Sequence, residues 1–250
     1  MKERLAIGLL TPLSMDDASS GARVLDILVR TAPELSPEFY GNFEPVKTPF
    51  QSIEESVGWW KPPFLWKRTK RVRVDGAVWF TNRGNHSAVY ITVKARRPPI
   101  EQAVAFIQAA ALTLSADLAY VHLMTEEETK SSRGTYDTWY PIDIGITTHD
   151  LKNGIPNVCW AMVFGPAYVR LIGREKLRTA PCFDVKDLAD EHVYLQVTAD
   201  VEAIQQDFQD FDDLRQRIRE HLGEQFFLAR HPDDSARAVP QFSDKLGATS

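Results

Sequence analysis

The sequence contains few residues of the kinds that cross-link small proteins or bind metal ions. Its 250 residues include only two cysteines, Cys159 and Cys182, and its six histidines show no His-x-x-x-His spacing. Two cysteines are too few for a disulfide framework, and closely spaced Cys or His pairs are what zinc sites use. We therefore expect two reduced, largely buried thiols, and we predict no metal site and no cofactor.

Long apolar runs are also missing. The run from Leu5 to Leu10 follows Lys2 and Arg4, but Pro12 and Asp16-Asp17 interrupt it before it reaches the length of a secretory signal. No run approaches the roughly 18 apolar residues of a membrane-spanning helix. The sequence therefore predicts a cytoplasmic protein with no membrane partner.

The common catalytic patterns are absent as well. The sequence has neither a Gly-x-Ser-x-Gly nucleophile elbow nor a Gly-rich phosphate loop. A restriction-type nuclease needs an acid two residues before a lysine, so that carboxylates can hold Mg²⁺, and Thr92 precedes Lys94 instead. We predict no catalytic residues and a protein that is not an enzyme.

Charge, by contrast, is present and unevenly distributed. The net charge is −5, yet residues 61–97 contain ten bases and one acid, and residues 184–234 contain fourteen acids and five bases. A basic block suits nucleic-acid binding, whereas an acidic block suits a basic partner. The alternative is that both blocks are solvated faces that partly neutralise each other in the fold.

Apolar periodicity predicts the secondary structure. Alternating residues predict a hairpin of strands 72–80 and 88–95, joined by a turn at Asn82-Arg83-Gly84-Asn85. Apolar residues three and four apart predict a helix over 100–114 that packs on this hairpin, and a strand over 119–124 follows.

The remaining segments follow the same rules. Residues 5–10 predict a first strand, Ser19 or Ser20 is expected to cap the next helix, and 204–222 predicts a long amphipathic helix facing a second hairpin. We predict an α+β fold, in which an antiparallel sheet of β-hairpins packs against several amphipathic helices. One domain is expected over residues 1–250, with a loosely ordered tail from about residue 231.

A tryptophan-rich stretch adjoins the basic block. Trp59, Trp60 and Trp66 surround Pro62-Pro63, and Arg68 lies among the neighbouring bases. Three interpretations remain open: core packing, a protein interface, or a single-stranded nucleic-acid groove over residues 59–73. We take these three tryptophans and Arg68 as candidate partner-binding residues.

The predicted C-terminal helix provides the second set of candidates. Asp207, Asp210, Asp212 and Asp213 stand early in this helix, and three arginines stand late. This order stabilises the helix dipole, and that explanation competes with a role in partner binding. We also take these four acids as candidate partner-binding residues.

The stretch from Cys159 to Thr198 has a distinctive pattern of its own. Pro166 after Gly165 predicts a helix start, Gly173 predicts its end, and alternating apolar residues then predict two strands. Physically this is a helix against a hairpin, with no reactive group.

The same stretch resembles bacterial immunity proteins of polymorphic toxin and type VI secretion systems. The pattern is Trp160, Phe164-Gly165-Pro166-Ala167, Leu171-Ile172-Gly173-Arg174-Glu175-Lys176-Leu177, Ala180-Pro181 and Tyr194-Leu195-Gln196-Val197-Thr198. It is most similar to immunity protein family fifty-two, and a related type VI immunity group comes second.

This resemblance implies an α+β fold, no catalysis and no cofactor. It implies one task, the binding of a cognate secreted toxin protein, which we expect to be a restriction-endonuclease-like nuclease effector. The hypothesis drawn from it is that the acids at 207–213 approach the basic DNA-binding face of the toxin, without direct nucleic-acid binding by this chain. The alternative function is nucleic-acid binding by the Trp/Arg-rich stretch 59–73.

Overall fold

A computed structural model of the protein describes residues 3–61, 63–80, 85–132, 141–189, 191–228 and 238–242. Its strands in chain order are β1 (Arg4–Thr11), β2 (Phe39–Gly41), β3 (Thr48–Pro49), β4 (Phe64–Arg68), β5 (Arg73–Phe80), β6 (Ser87–Lys94), β7 (Leu118–Met124), β8 (Ala161–Phe164), β9 (Asp184–Ala189) and β10 (His192–Gln196). Its helices are α1 (Ala18–Thr31), α2 (Ile53–Val57), α3 (Ile100–Thr113), α4 (Glu126–Ser132), α5 (Pro141–Ile144), α6 (Thr148–Leu151), α7 (Pro166–Ile172), α8 (Arg174–Arg178), α9 (Ala203–Gln206) and α10 (Phe208–Leu222), and a 3₁₀ turn covers Glu224–Phe226.

These strands form one antiparallel sheet, which confirms the predicted α+β class. Their order is β3-β2-β4-β5-β6-β1-β7-β8-β10-β9, so β1 lies near the centre and β3 and β9 form the edges. The predicted hairpin is the β5–β6 pair, with Val74 opposite Val93. Its turn falls mainly on residues 81–84, outside the described residues.

The central strand β1 is buried on both faces. Leu5, Ile7 and Leu9 share one face because side chains alternate along a strand, and all three are buried. On the other face Gly8 lies opposite Tyr120, where an added Cβ would stand 2.3 Å from the tyrosine ring. Glycine is therefore required for the close packing of this ring.

Two long helices cover the face of Leu5 and Ile7. The predicted α3 is confirmed, but it packs on β1, β7 and α1 and not chiefly on the β5–β6 hairpin. Helix α1 is capped by Asp17, which accepts hydrogen bonds from the backbone N–H groups of Ser19 and Ser20. The prediction of a serine cap was wrong because the carboxylate of Asp17, two positions before Ser19, accepts both bonds.

Helix α10 lies over the opposite face of the sheet, where the Phe211 ring contacts His122 of β7. The predicted single helix over 204–222 is two helices, since the chain breaks at Asp207, whose side chain caps the start of α10. Among the described helices, none is long and apolar enough to cross a membrane.

The Cys159–Thr198 stretch folds as β8, α7, α8, β9 and β10. Gly165 and Pro166 start α7 and Gly173 ends it with a φ of +96°, as predicted. Gly165 has no side chain to cap α7, and Asp117 replaces it by accepting a 3.1 Å hydrogen bond from the Ala167 N–H. Strand β10 is buried on both faces, whereas β9 is an exposed edge.

The C-terminal region is described over two short parts after α10. Ile155 pairs with Phe227, and Ala238 donates a 3.0 Å backbone hydrogen bond to Gln225. The Phe242 ring packs edge-on against His86, with centroids 4.6 Å apart. The rest of the predicted loose tail from residue 231 lies outside the described residues.

Candidate partner-binding surface

The three candidate tryptophans occupy different environments. Trp60 and Trp66 are core residues, 5% and 1% exposed, and their indole N–H groups donate to the carbonyls of Met15 and Leu35. Trp59 is 52% exposed. The core interpretation therefore applies to two of the three, and only Trp59 presents a ring to solvent.

Arg68 and the four acids also differ in their availability. Arg68 is partly buried, with its Nε 3.9 Å from Glu38. Asp207 caps α10, and Asp212 lies 2.5 Å from the buried Arg215. Asp210 and Asp213 are exposed, and Asp213 accepts a hydrogen bond from the neighbouring Gln209. Asp210 and Asp213 are thus the acids best placed to meet a partner.

A cluster of exposed cations lies at one end of the sheet, where β4 and β6 end and β5 begins. We call it the basic rim, and it consists of Lys70, Arg71, Arg73, Lys94, Arg96 and Arg97. Lys94 pairs with Asp75 at 3.0 Å, but among the described residues no carboxylate pairs with the other five. The rim therefore carries uncompensated positive charge.

The local structure of the rim concentrates this charge. Arg73 and Lys94 stand directly opposite each other on neighbouring strands, an arrangement of like charges that destabilises a sheet. Arg71 has a φ of +55° in the β4–β5 turn, a conformation that few non-glycine residues adopt. Both features have a local cost, and an anionic partner would offset the first of them, the proximity of like charges.

An acidic surface lies at the same end of the sheet. We call it the acidic segment, and it consists of Asp200, Glu202, Asp207, Asp210 and Asp213, all exposed. Residues 199–214 contain six acids and no lysine or arginine. Gln205 of α9 donates a 2.6 Å hydrogen bond to Glu3, next to the start of β1, which fixes α9 at this end.

The two charged surfaces do not pair with each other within the chain. No described ion pair joins the basic rim to the acidic segment, and within the described part of the chain the five carboxylates of the acidic segment have no cation within 4.0 Å. Mutual neutralisation by direct contact, one of the alternatives from the sequence, is therefore not observed in the described structure.

The strand that begins at the rim also presents an aromatic side chain. Trp79 lies on the face of β5 that carries Arg73 and Asp75, and it is 46% exposed. Ala77 and Tyr90 beside it are half-buried. Sequence reasoning missed Trp79, although the predicted alternation, with Val72, Val74 and Val78 inward, already placed it outward.

A buried network of charged side chains anchors α10, the helix that carries Asp210 and Asp213 of the acidic segment. Arg215 donates to Glu128 at 2.8 Å, and His122 Nε2 lies 3.5 Å from the second Glu128 oxygen. Burial raises the pKa of Glu128, but the charges of Arg215 and His122 outweigh it and hold this pKa well below its usual range. As a sequence pattern, the three consecutive glutamates Glu126–Glu128 indicate an exposed connection, but they begin the helix α4 and Glu128 is buried.

A second buried cluster combines a hydroxyl, an imidazole and a carboxylate. Thr148 Oγ1 lies 2.9 Å from His86 Nδ1, and His86 Nε2 lies 3.2 Å from Asp117. Hydrolases use such groups, but here all three are buried and Asp117 also caps α7. We interpret the cluster as a link between β6, α6 and α7.

Neither cluster is a metal centre. Within the described ranges, no group of three or more His, Cys, Asp or Glu side chains is arranged to hold a metal ion. Burial raises the pKa of Cys159 well above its ordinary value, and that of the half-buried Cys182 to about 11. Both thiols are free, and burial keeps them protonated at neutral pH.

Comparisons with known proteins found similarity to solved structures alone. No protein-family model matches the chain, and no curated protein matches it. A solved structure of a Pseudomonas aeruginosa T6SS protein is similar, with a TM-score of 0.49 and 15% sequence identity, over 96% of this chain and 79% of that one. A similarity of this degree assigns no function to the chain.

Proposed function

We propose that the chain is an immunity protein that binds and neutralises a cognate secreted antibacterial toxin. The toxin would be a restriction-endonuclease-like nuclease effector of a type VI secretion system. The acidic segment carries this proposal, because its carboxylates are exposed, have no cation within 4.0 Å among the described residues and occupy a stretch without a single base. The chain itself performs no catalysis and needs no cofactor in this role.

Charge complementarity supports a nuclease as the partner. A DNA-cleaving protein must attract phosphates, so its substrate-binding face is basic. Opposite charge across an interface accelerates association and favours the correct partner. The resemblance over Trp160–Thr198 to immunity proteins supports the same role, and this stretch provides strands β8, β9 and β10 of the sheet together with helices α7 and α8.

The test is co-expression with the toxin domain that we expect the neighbouring reading frame to encode. We expect the two proteins to co-purify and the cells to resume growth. If the toxin kills regardless and no complex survives purification, the proposal is wrong.

The contact surface is tested by Asp210→Ser with Asp213→Ser. Asp207 and Asp212 are left unchanged, because Asp207 caps α10 and Asp212 neutralises Arg215. Replacement of either would disturb the fold. At low salt we expect the association rate to fall about tenfold and its salt dependence to weaken. Glu54→Ser with Glu55→Ser, which changes the net charge equally on exposed α2, should leave the rate unchanged.

Nucleic-acid binding through residues 59–73 is the second candidate function. Lys70, Arg71 and Arg73, which have no carboxylate partner among the described residues, favour it, whereas the burial of Trp60 and Trp66 leaves one of the three candidate rings exposed for base stacking. A salt-dependent mobility shift of single-stranded DNA that is lost in Trp59→Ala would support this candidate over the first.

A further inference from the structure

The basic rim and the acidic segment are neighbours on one surface. The rim lies on β4, β5 and β6, and β6 is hydrogen-bonded to β1. Two strand spacings of about 4.8 Å separate β5 from β1. At the start of β1, Glu3 accepts a hydrogen bond from Gln205, which lies within the acidic stretch. One end of the sheet is therefore positive on one side of β1 and negative on the other.

Such a surface is self-complementary. A twofold rotation about an axis near the start of β1 places the positive side of each copy on the negative side of the other. The interface therefore contains two equivalent contacts. Each of the two contacts brings opposite charges together. The same operation brings carboxylates near Arg73, which stands opposite Lys94 and has no carboxylate partner among the described residues.

The geometry points to a second copy of this chain as the occupant of the basic rim, with the acidic segment of each copy docked on the rim of the other. A long nucleic acid fits less well, because a phosphate backbone that follows the rim meets the acidic segment beside it. This inference goes beyond the immunity proposal, since it concerns the chain alone. It also implies that self-association and toxin binding compete for the acidic segment.

Sedimentation velocity on the purified full-length chain tests the inference without any toxin. We expect a monomer–dimer equilibrium whose dissociation constant rises about tenfold between about 0.05 M and 0.3 M salt. A chain that stays monomeric at every concentration in low salt overturns the inference. A rim-dependent shift of DNA in the same samples would then identify nucleic acid as the ligand of the rim.

Charge reversal gives a sharper test. The rim-reversed variant carries Arg71→Glu, Arg73→Glu and Arg97→Glu, and the acid-reversed variant carries Glu202→Lys, Asp210→Lys and Asp213→Lys. Each variant alone should be monomeric because its three reversed charges repel the facing surface of the second copy and cancel the attraction of the charges that remain. An equimolar mixture should form a heterodimer, since one contact is then the wild-type contact and the other joins the two reversed sets of charges.

The control variant carries Lys47→Glu, Lys152→Glu and Lys176→Glu. It has the same net charge as the rim-reversed variant, and its three exposed positions lie outside the basic rim. We expect it to dimerise like the wild type. Loss of dimerisation in this control, or failure of the mixture to associate, would show that the two surfaces do not meet as inferred.

Discussion

Arg215 of α10 and Glu128 of α4 form an ion pair in which both side chains are almost completely buried, 1% and 0% exposed. The other edge of the guanidinium binds Asp212, and the Phe211 ring lies 5.1 Å from its central carbon. The pair ties the helix of the acidic segment to the centre of the sheet. Removal of one partner leaves the other charged and buried.

The first prediction concerns the charge of Glu128. Glu128→Gln should lower the free energy of unfolding by about 3 kcal/mol, because Arg215 loses its buried counter-charge. The measurement is urea denaturation followed by circular dichroism. Glu127→Gln, an exposed change in the same helix, should stay within about 0.5 kcal/mol of the wild type. Equal effects of the two substitutions would contradict this account of the pair.

The second prediction concerns pH. Because the folded pKa of Glu128 is depressed, the pair stabilises the protein above the unfolded-state value, which is about 4.3 for glutamate. This contribution declines progressively as the pH falls below that value toward the depressed pKa of the folded state. The difference in unfolding free energy between wild type and Glu128→Gln should therefore be full near neutral pH and shrink below about pH 4. A difference that is independent of pH would refute the assignment.

The third prediction tests Trp66 as a core residue. Its ring covers Gly76 on the neighbouring strand, where an added Cβ would lie 2.0 Å from a ring atom. Gly76→Ala should destabilise the protein by about 1–3 kcal/mol through overpacking. Gly41→Ala is the matched control, because its nearest neighbour would be 3.8 Å away. A Gly76→Ala protein as stable as the control would mean that Trp66 does not pack as described.

The fourth prediction concerns the two thiols. Burial raises the pKa of Cys159 well above its ordinary value and that of Cys182 to about 11, and thiolates are the reactive form. Each thiol can be followed alone, Cys159 in the Cys182→Ser variant and Cys182 in the Cys159→Ser variant. Near pH 8 both thiols should react slowly with a chromogenic disulfide reagent. Cys182, which is half-buried, should still react before Cys159. Rapid modification of Cys159 in the folded state would contradict its complete burial.

Much of the fold could be predicted from local patterns. The β5–β6 hairpin, α3 and the start of α7 at Pro166 follow from periodicity and turn chemistry, which depend on residues close in sequence. The break at Asp207 and the cap at Asp17 were missed, since helix periodicity continues through a residue whose carboxylate can bond its own backbone. The burial of Glu128 was missed because its partner Arg215 is 87 residues away.

For the candidate surface, the sequence alone shows two blocks of opposite charge but not where they lie in the fold. The basic and acidic blocks were visible, but their position at the same end of the sheet depends on strand order. The split between exposed Trp59 and buried Trp60 depends on α1, which receives the Trp60 ring against Gly21. Composition does not distinguish adjacent tryptophans, because exposure is decided by packing partners distant in sequence.

The two edge strands of the sheet differ in how they prevent pairing with a strand of another molecule. Strand β3 has two residues and ends at Pro49, which has no N–H to offer a further strand. At the opposite edge, β9 has six residues, but Asp184 is paired with Lys186, and Asp187 is paired with Arg174 and Arg178. Intermolecular β-pairing, the first step toward aggregation, is therefore blocked at one edge by backbone chemistry and discouraged at the other by charge.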